Sequence, residues 1–267
     1  MRLAFLGTPE MAVPPLRALV ADGHDVALVI TRPVRRRGRG AETSPSPVHA
    51  AAESLGLDVH HVVDDVLGVD AELGVVVAFG ELIKPPVLAR LPMINVHFSL
   101  LPRWRGAAPV ERAIMAGDDV TGVCLMQVAE GLDTGDVYAS VEVPIGPRET
   151  AAQLRGELVK VGTALLVEQL RNGLGRPTPQ VGEPTYAAKI KPEELRIDWA
   201  RPAIALDRLV RVGGAWTTWR GSRIKVIEAD VVDGRLVPSV VQPEGRRPMA
   251  FADWYRGVRA AEGEWFE

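Results

Sequence analysis

The chain has 267 residues, 47% hydrophobic and 24% charged, enough to bury a full core and leave room for a second, smaller module. A net charge of −3 and a pI near 6.0 exclude a protein that coats nucleic acid over its whole surface, so any RNA contact must come from local patches. The one cysteine, Cys124, excludes a disulfide framework and a cysteine-rich metal site; with an N-terminal apolar run that stops at Gly7, a cytoplasmic protein without a membrane segment is expected.

In chain order, short β-rich apolar runs alternate with stretches of helical period, which predicts βαβ units on a mainly parallel sheet, an α/β Rossmann-like domain. Strands are expected over residues 3–6, 26–30, 74–79, 94–96, 123–128 and 137–143. Helices are expected over 13–21, over 47–55 behind Ser46, over 108–116, and over 150–170 with Thr150 as N-cap. Beyond Leu174, Pro177, Pro179, Pro184 and Pro192 punctuate a polar stretch that cannot hold a continuous helix. The chain is therefore expected to divide into a large domain at 1–175, a linker at 176–200 and a small β-rich domain at 201–267. The last should hold one helix over 202–212 and strands over 223–232 and 235–241, joined at Asp233-Gly234.

Gly7-Thr8-Pro9-Glu10 follows the first strand, where a dinucleotide fold would carry its phosphate-binding glycines. One glycine is present, and Pro9 removes a backbone donor, which argues against a nicotinamide enzyme and for a plain strand-to-helix turn. Asn95 and His97 stand two apart at a strand end, so their side chains share one face and can point together into a crevice. An amide donor beside an imidazole suits acyl transfer, because the attacked carbonyl becomes an oxyanion that needs fixed donors. The glycine-flanked loop Gly131-Leu132-Asp133-Thr134-Gly135-Asp136 supplies a carboxylate, Asp133, to orient the histidine. The same Asn-x-His pair also fits a capped strand end with a satisfied structural histidine. Arg32, Arg35, Arg36, Arg37 and Arg39 read as a cationic loop after the second strand, either a solvated face or a phosphate contact. Residues 187–225 hold nine Lys or Arg against four Asp or Glu, a local excess of the kind backbone contact needs, and Trp216 and Trp219 either stack on a base or pack between the domains.

Asn-x-His-x-Ser-Leu-Leu-Pro at 95–102, followed by Leu-Asp-Thr-Gly at 132–135, resembles the signature of the folate-dependent formyltransferases. Further stretches resemble the same family: Phe5-Leu6-Gly7-Thr8-Pro9, Arg36-Arg37-Gly38-Arg39-Gly40, Pro45-Ser46-Pro47-Val48, the run from Arg103 through Pro109, and Arg196-Ile197-Asp198-Trp199. The resemblance runs from Met1 to about Trp219 and is closest to members whose acceptor is initiator methionyl-tRNA.

The resemblance implies that Asn95, His97 and Asp133 form the catalytic set and that 10-formyltetrahydrofolate is the co-substrate, with no metal. It implies a folate slot at Phe79, Gly80, Leu82, Ile83, Ser99, Leu100, Leu101, Pro102, Glu130, Leu132 and Asp136; ordinary core is an equal reading of Leu82 and Ile83. It further implies that Arg36, Arg37, Arg39, Arg103, Arg105, Lys191 and Arg211 meet the acceptor arm of initiator methionyl-tRNA, Arg39 foremost. The implied reaction is transfer of a formyl group to the methionyl amine for translation initiation. The alternatives are an N-formyltransferase acting on an amino-sugar nucleotide or carrier-bound amino acid, a formyltetrahydrofolate hydrolase, and a non-catalytic tRNA-binding module. Two departures stand out. Phe98 occupies a position where many relatives have glycine and is expected to pack under the loop, away from Asn95 and His97. The C-terminal module, expected to lack strands around residues 233–240, would then be an incomplete OB-like barrel. A monomer is expected.

Overall fold

The computed structural model describes residues 1–33, 35, 36, 43–261 and 263–267. The chain opens with β1 (Arg2–Gly7), α1 (Val13–Ala21) and β2 (Asp25–Ile30), then a two-residue antiparallel ladder of β3 (Arg35–Arg36) and β4 (Thr43–Ser44). Next comes α2 (Pro47–Ser54), which starts where its sequence says it should: the Ser46 hydroxyl accepts the His49 N–H at 3.0 Å, and Pro47 occupies the first turn. β5 (Val59–His60), β6 (Leu73–Val77), α3 (Pro85–Arg90), β7 (Met93–His97) and β8 (Arg105–Gly106) follow. After α4 (Pro109–Ala116) come β9 (Val120–Gln127), β10 (Val137–Pro144), α5 (Ala151–Asn172) and β11 (Tyr186–Ala187).

The main sheet has the order β10-β9-β7-β6-β1-β2-β5, with β5, β2, β1, β6 and β7 mutually parallel, β9 running against them, and β10, antiparallel to β9, running with them again. The expected α/β fold with a mainly parallel sheet is therefore present. Successive residues of the central β1, Leu3 through Leu6, are all fully buried, as a strand covered on both faces requires. On one face Ala4, Leu6, Val76 and Met93 pack with Val66, Phe79, Val87 and Leu91. On another part of the sheet α5 lies close behind β7 and β9, because a Cβ at Gly162 would sit 3.0 Å from methyls of both Val96 and Val123. Thr150 caps α5 reciprocally: its hydroxyl accepts the Gln153 N–H at 3.3 Å while the Gln153 side chain accepts the Thr150 N–H at 3.0 Å.

The chain forms two compact units, the first from residues 1–109, 120–144 and 155–187, the second from 110–119, 145–154 and 188–267. The stretch read as a linker thus contributes residues up to Ala187 to the first unit. It is extended, as its prolines dictate, but it is tied down: Thr178 exchanges both backbone hydrogen bonds with Val137, and β11 pairs in parallel with β8.

The second unit holds α6 (Ala203–Val212), β12 (Trp216–Trp219), β13 (Ser222–Val232), β14 (Arg235–Pro243), β15 (Met249–Ala250) and α7 (Phe251–Gly257). Its strands form an antiparallel meander, β12-β13-β14-β15. Asp233 and Gly234 both take positive φ, 48° and 72°, which matches a tight primed turn between twisted strands. The expected loss of strands around 233–240 is overturned, since β14 runs through that region. Leu206, Leu209 and Val210 of α6 pack on Val226 and Leu236. A separate aromatic cluster joins Trp219, Trp254 and Phe266, so Trp219 belongs to the interior of this unit. No described helix is long and apolar enough to cross a membrane.

Candidate functional site

The site is built around β7. Asn95 lies opposite Val76 of β6 and Met126 of β9, and His97 lies opposite Cys124. Alternation turns Val96 toward α5 and leaves Asn95 and His97 on the other face, with Phe98 buried just beyond. His97 is 5% exposed, and its Nε2 donates to the Trp104 carbonyl at 2.9 Å, an oxygen that can only accept. The loop between them is closed by short contacts. The Ser99 hydroxyl donates to the Arg103 carbonyl at 2.6 Å, and the Leu101 N–H donates to Cys124 Sγ at 3.3 Å. Burial pushes that thiol above its ordinary range.

Asp133 reaches this histidine by an indirect route. Because β9 runs against β7, its end lies beside the start of β7, where the Val128 N–H binds the Met93 carbonyl at 2.8 Å. The loop then turns back. Asp133 Oδ2 stands 3.6 Å from His97 Nδ1 and accepts the Gly106 N–H at 2.8 Å. Asp133 has φ 51°, a conformation a non-glycine residue rarely holds, and Gly135 has no room for a Cβ, which would come within 1.9 Å of the Gln127 carbonyl. Beside the loop, the Tyr138 phenol is raised above its usual value, first by burial and then by the Asp136 charge.

The residues that lock the two loops together escaped the reading of the sequence. The Gln180 amide donates to the carbonyls of Asp133 at 2.9 Å and Gly135 at 2.8 Å, while its oxygen accepts Arg105 Nε at 3.1 Å and Nη2 at 2.7 Å. The Thr185 hydroxyl accepts the Trp104 N–H at 2.9 Å, and the Arg105 N–H binds the Thr185 carbonyl at 2.9 Å. The only signal for them was a long amide and a hydroxyl within a proline-bracketed run, a pattern that reads equally as solvated linker.

Asn95, His97 and Asp133 are thus brought together. Asn95 is half-buried, and among the described residues its side-chain amide has no hydrogen-bond partner. Of the residues expected at a folate slot, Phe79 and Ile83 point into the core, so ordinary core holds for Ile83. Leu82 and Leu132 are 74% and 52% exposed, apolar surfaces of the kind a flat heterocycle would cover. Gly80 and Glu130 are exposed, Leu100, Leu101, Pro102 and Asp136 are half-buried, and the Ser99 hydroxyl is committed to the Arg103 carbonyl. Among the described residues no group of three or more His, Cys, Asp or Glu is arranged to hold a metal ion.

The expected tRNA contacts divide. Arg37 and Arg39 lie outside the described residues, and Arg36 is described only as backbone in β3. Lys191 is exposed, and Arg103 is exposed with its guanidinium 4.4 Å from the Trp104 ring centroid. Arg105 is half-buried on Gln180. Arg211 corrects the expectation most clearly: at 12% side-chain exposure it pairs with Asp207 at 2.9 Å and donates to the Glu149 carbonyl at 3.1 Å, so it faces its own unit instead of solvent.

Residues 1–170 match the formyl transferase family, and residues 189–236 match the formyl transferase C-terminal domain. The chain is 48% identical over 261 residues to methionyl-tRNA formyltransferase of Roseobacter denitrificans, covering 91% of this chain and 85% of that one. It is 43% identical to methionyl-tRNA formyltransferase of Paracoccus denitrificans, covering 97% and 98% of the two chains. Among solved structures, methionyl-tRNA formyltransferase from Clostridium thermocellum superposes with a TM-score of 0.65 at 17% identity, covering 91% of this chain and 98% of that one, a likeness of fold.

Proposed function

The chain belongs to the formyltransferase family, and from that premise we propose that it transfers a formyl group from 10-formyltetrahydrofolate to the free amine of initiator methionyl-tRNA. The observation that carries this reading is that Asn95 and His97 share one face of β7 with the loop residue Asp133 3.6 Å from His97, the Asn95 amide having no partner among the described residues, in a chain 43% identical over nearly its full length to a methionyl-tRNA formyltransferase. The residues present fit the donor: an open amide to meet a carbonyl oxygen, exposed Leu82 and Leu132 to cover an apolar ring, and backbone groups between them. When bound, 10-formyltetrahydrofolate supplies a nitrogen-linked formyl carbon open to attack by an amine.

Asn95 Nδ2 donates to the formyl oxygen as negative charge gathers there, the step at which a fixed donor acts most strongly. His97 is held from below by the Trp104 carbonyl at Nε2, so Nδ1 is the edge through which it works. That edge faces Asp133 and is the one left for the reacting atoms. Asp133, 3.6 Å from Nδ1, orients that edge and takes up the proton released by the attacking amine, directly or through one water; as the bond from the formyl carbon to the carrier nitrogen breaks, that proton is returned to the departing nitrogen, leaving tetrahydrofolate and the formylated amine. The sequence-independent contact to the acceptor-arm phosphates would come from cations, among them the exposed Lys191 and Arg103 and the arginines at positions 35, 36, 37 and 39.

Formylation should be assayed with 10-formyltetrahydrofolate and charged initiator methionyl-tRNA, with free methionine and an amino-sugar nucleotide as parallel acceptors. Formylation of the charged tRNA alone is the expected result. Unmodified tRNA beside a formylated sugar, or folate consumed by water alone, would overturn the acceptor and leave the catalytic set standing.

A further inference from the structure

We propose that Gln180 is a positioning residue for the reaction, holding Asp133 in the one backbone conformation that sets its carboxylate against His97. The inference rests on the reading of Asp133 as the proton partner of His97. Asp133 has φ 51°, which a non-glycine residue keeps only when its surroundings impose it. Its carboxylate has one further anchor, the Gly106 N–H at 2.8 Å, and Gly106 follows Arg105 directly. Gln180 grips both sides of that arrangement. Its NH2 donates to the Asp133 carbonyl at 2.9 Å and the Gly135 carbonyl at 2.8 Å; its oxygen accepts Arg105 Nε at 3.1 Å and Nη2 at 2.7 Å.

The polarity of these contacts selects the residue type. Two carbonyls require two N–H donors, and a guanidinium requires an acceptor; a primary amide offers both on one planar group. Glutamate would keep the Arg105 half and turn an oxygen toward two carbonyls. Leucine would fill similar space and leave every partner unmade. Asparagine is shorter by a methylene and cannot reach both sides from the same backbone. The two strands of evidence, a strained residue and an amide whose every polar site is used to hold it, are independent of any bound ligand.

The test uses the full chain with Gln180→Glu and Gln180→Leu, alone and each combined with Asp133→Asn. Turnover, KM for both substrates, the pH profile of turnover, the melting temperature and the His97 ring resonances of the ligand-free protein are measured. Displacing a reacting group by about 1 Å costs roughly a hundredfold, so both single variants should lose about that factor in kcat. KM should change little, the pH profile should move, and the His97 resonances should shift without ligand. Each double variant should be no slower than Asp133→Asn alone, because Gln180 acts through Asp133. Gln180→Glu retains the Arg105 contact, so it carries the test if Gln180→Leu fails to fold. A lowered melting temperature with wild-type turnover and pH profile, or losses that multiply in the double variants, would overturn the proposal and leave the catalytic set intact. Wild-type turnover in Asp133→Asn alone would instead bring down the reading of the site itself, and the role of Gln180 with it.

Discussion

In the first unit the residues around His97 are fixed by polar contacts: a carbonyl on Nε2, a backbone N–H on the Asp133 carboxylate, and the Gln180 amide across two loops. In the second unit rings do the corresponding work, with Trp219 lying 5.2 Å from Trp254, 5.9 Å from Tyr255 and 6.0 Å from Phe266, centroid to centroid. The charges of the two regions differ as well. Of the nine cations counted between 187 and 225, Arg211 is tied to Asp207 and Arg220 to Glu264, while Arg196 and Arg223 lie 5.7 and 4.1 Å from the Trp216 ring. A tally of basic residues in a sequence is therefore not a tally of free cations. What the sequence pattern can identify is a chemistry that demands particular residue types; what it cannot identify is which charges the fold has already neutralised.

The comparison is broken most forcefully in the second unit. Trp219→Ala removes a 5%-exposed ring from the centre of the aromatic cluster and should destabilise the chain by about 3–5 kcal/mol, the usual cost of truncating a buried aromatic. Denaturant unfolding of the full chain measures it, and a midpoint equal to wild type would mean that rings do not hold this unit. In the first unit the corresponding blow is chemical. Asn95→Ala should lower kcat by roughly a hundred- to a thousandfold, as loss of an oxyanion donor does elsewhere, with an unchanged unfolding midpoint because the amide has no partner among the described residues to lose. Asp133→Asn should fall in the same range, and unchanged turnover in either variant would remove that residue from the scheme.

The main sheet was legible because buried parallel strands write themselves as unbroken apolar runs, and because Ser46 and Thr150 announce their helices by capping chemistry. Asn95 and His97 were legible as a pair through the two-residue period of a strand. Their link to Asp133 was not: β9 runs antiparallel, so its following loop starts beside Met93 and must return to His97, a path that depends on sheet order and not on spacing. Gln180 was hidden for a related reason, since its role lies in tertiary hydrogen bonds made from an extended segment with no period of its own. In the second unit β12 and the short α7 were missed, while β14 lies where a strand over 235–241 was expected and the shortfall expected around 233–240 does not occur. β12 is only the four residues Trp216-Thr217-Thr218-Trp219 and α7 only seven, each too short to show a clear period.

The acceptor side sharpens the comparison with smaller effects. If Lys191 meets a phosphate and Arg211 does not, Lys191→Ala should reduce the slope of log affinity for tRNA against log salt by about 1, and Arg211→Gln should leave that slope where it is. Filter binding or fluorescence titration across salt concentrations reads this directly; equal losses of slope would return Arg211 to the interface.

The smallest effect concerns acid stability. Arg112 meets Glu194 through two contacts, Nη1 to Oε2 at 2.7 Å and Nη2 to Oε1 at 3.1 Å, and the Lys191 N–H adds a third at 2.9 Å. The Arg112 bonds first, and the backbone bond second, hold the Glu194 carboxyl down at about 2 against an ordinary 4.5. A carboxyl whose folded value lies below its unfolded one stabilises the fold above the unfolded value and loses that contribution as pH falls toward the folded one. Glu194→Gln keeps the shape and removes the charge. The variant should therefore be less stable than wild type at neutral pH, and the gap should close as pH drops from about 4.5 to about 2. Urea midpoints followed through that range decide it. A gap that persists at the acid end would assign the cost to lost shape, and no gap at neutral pH would mean that this pair, exposed on one side, is screened to nothing.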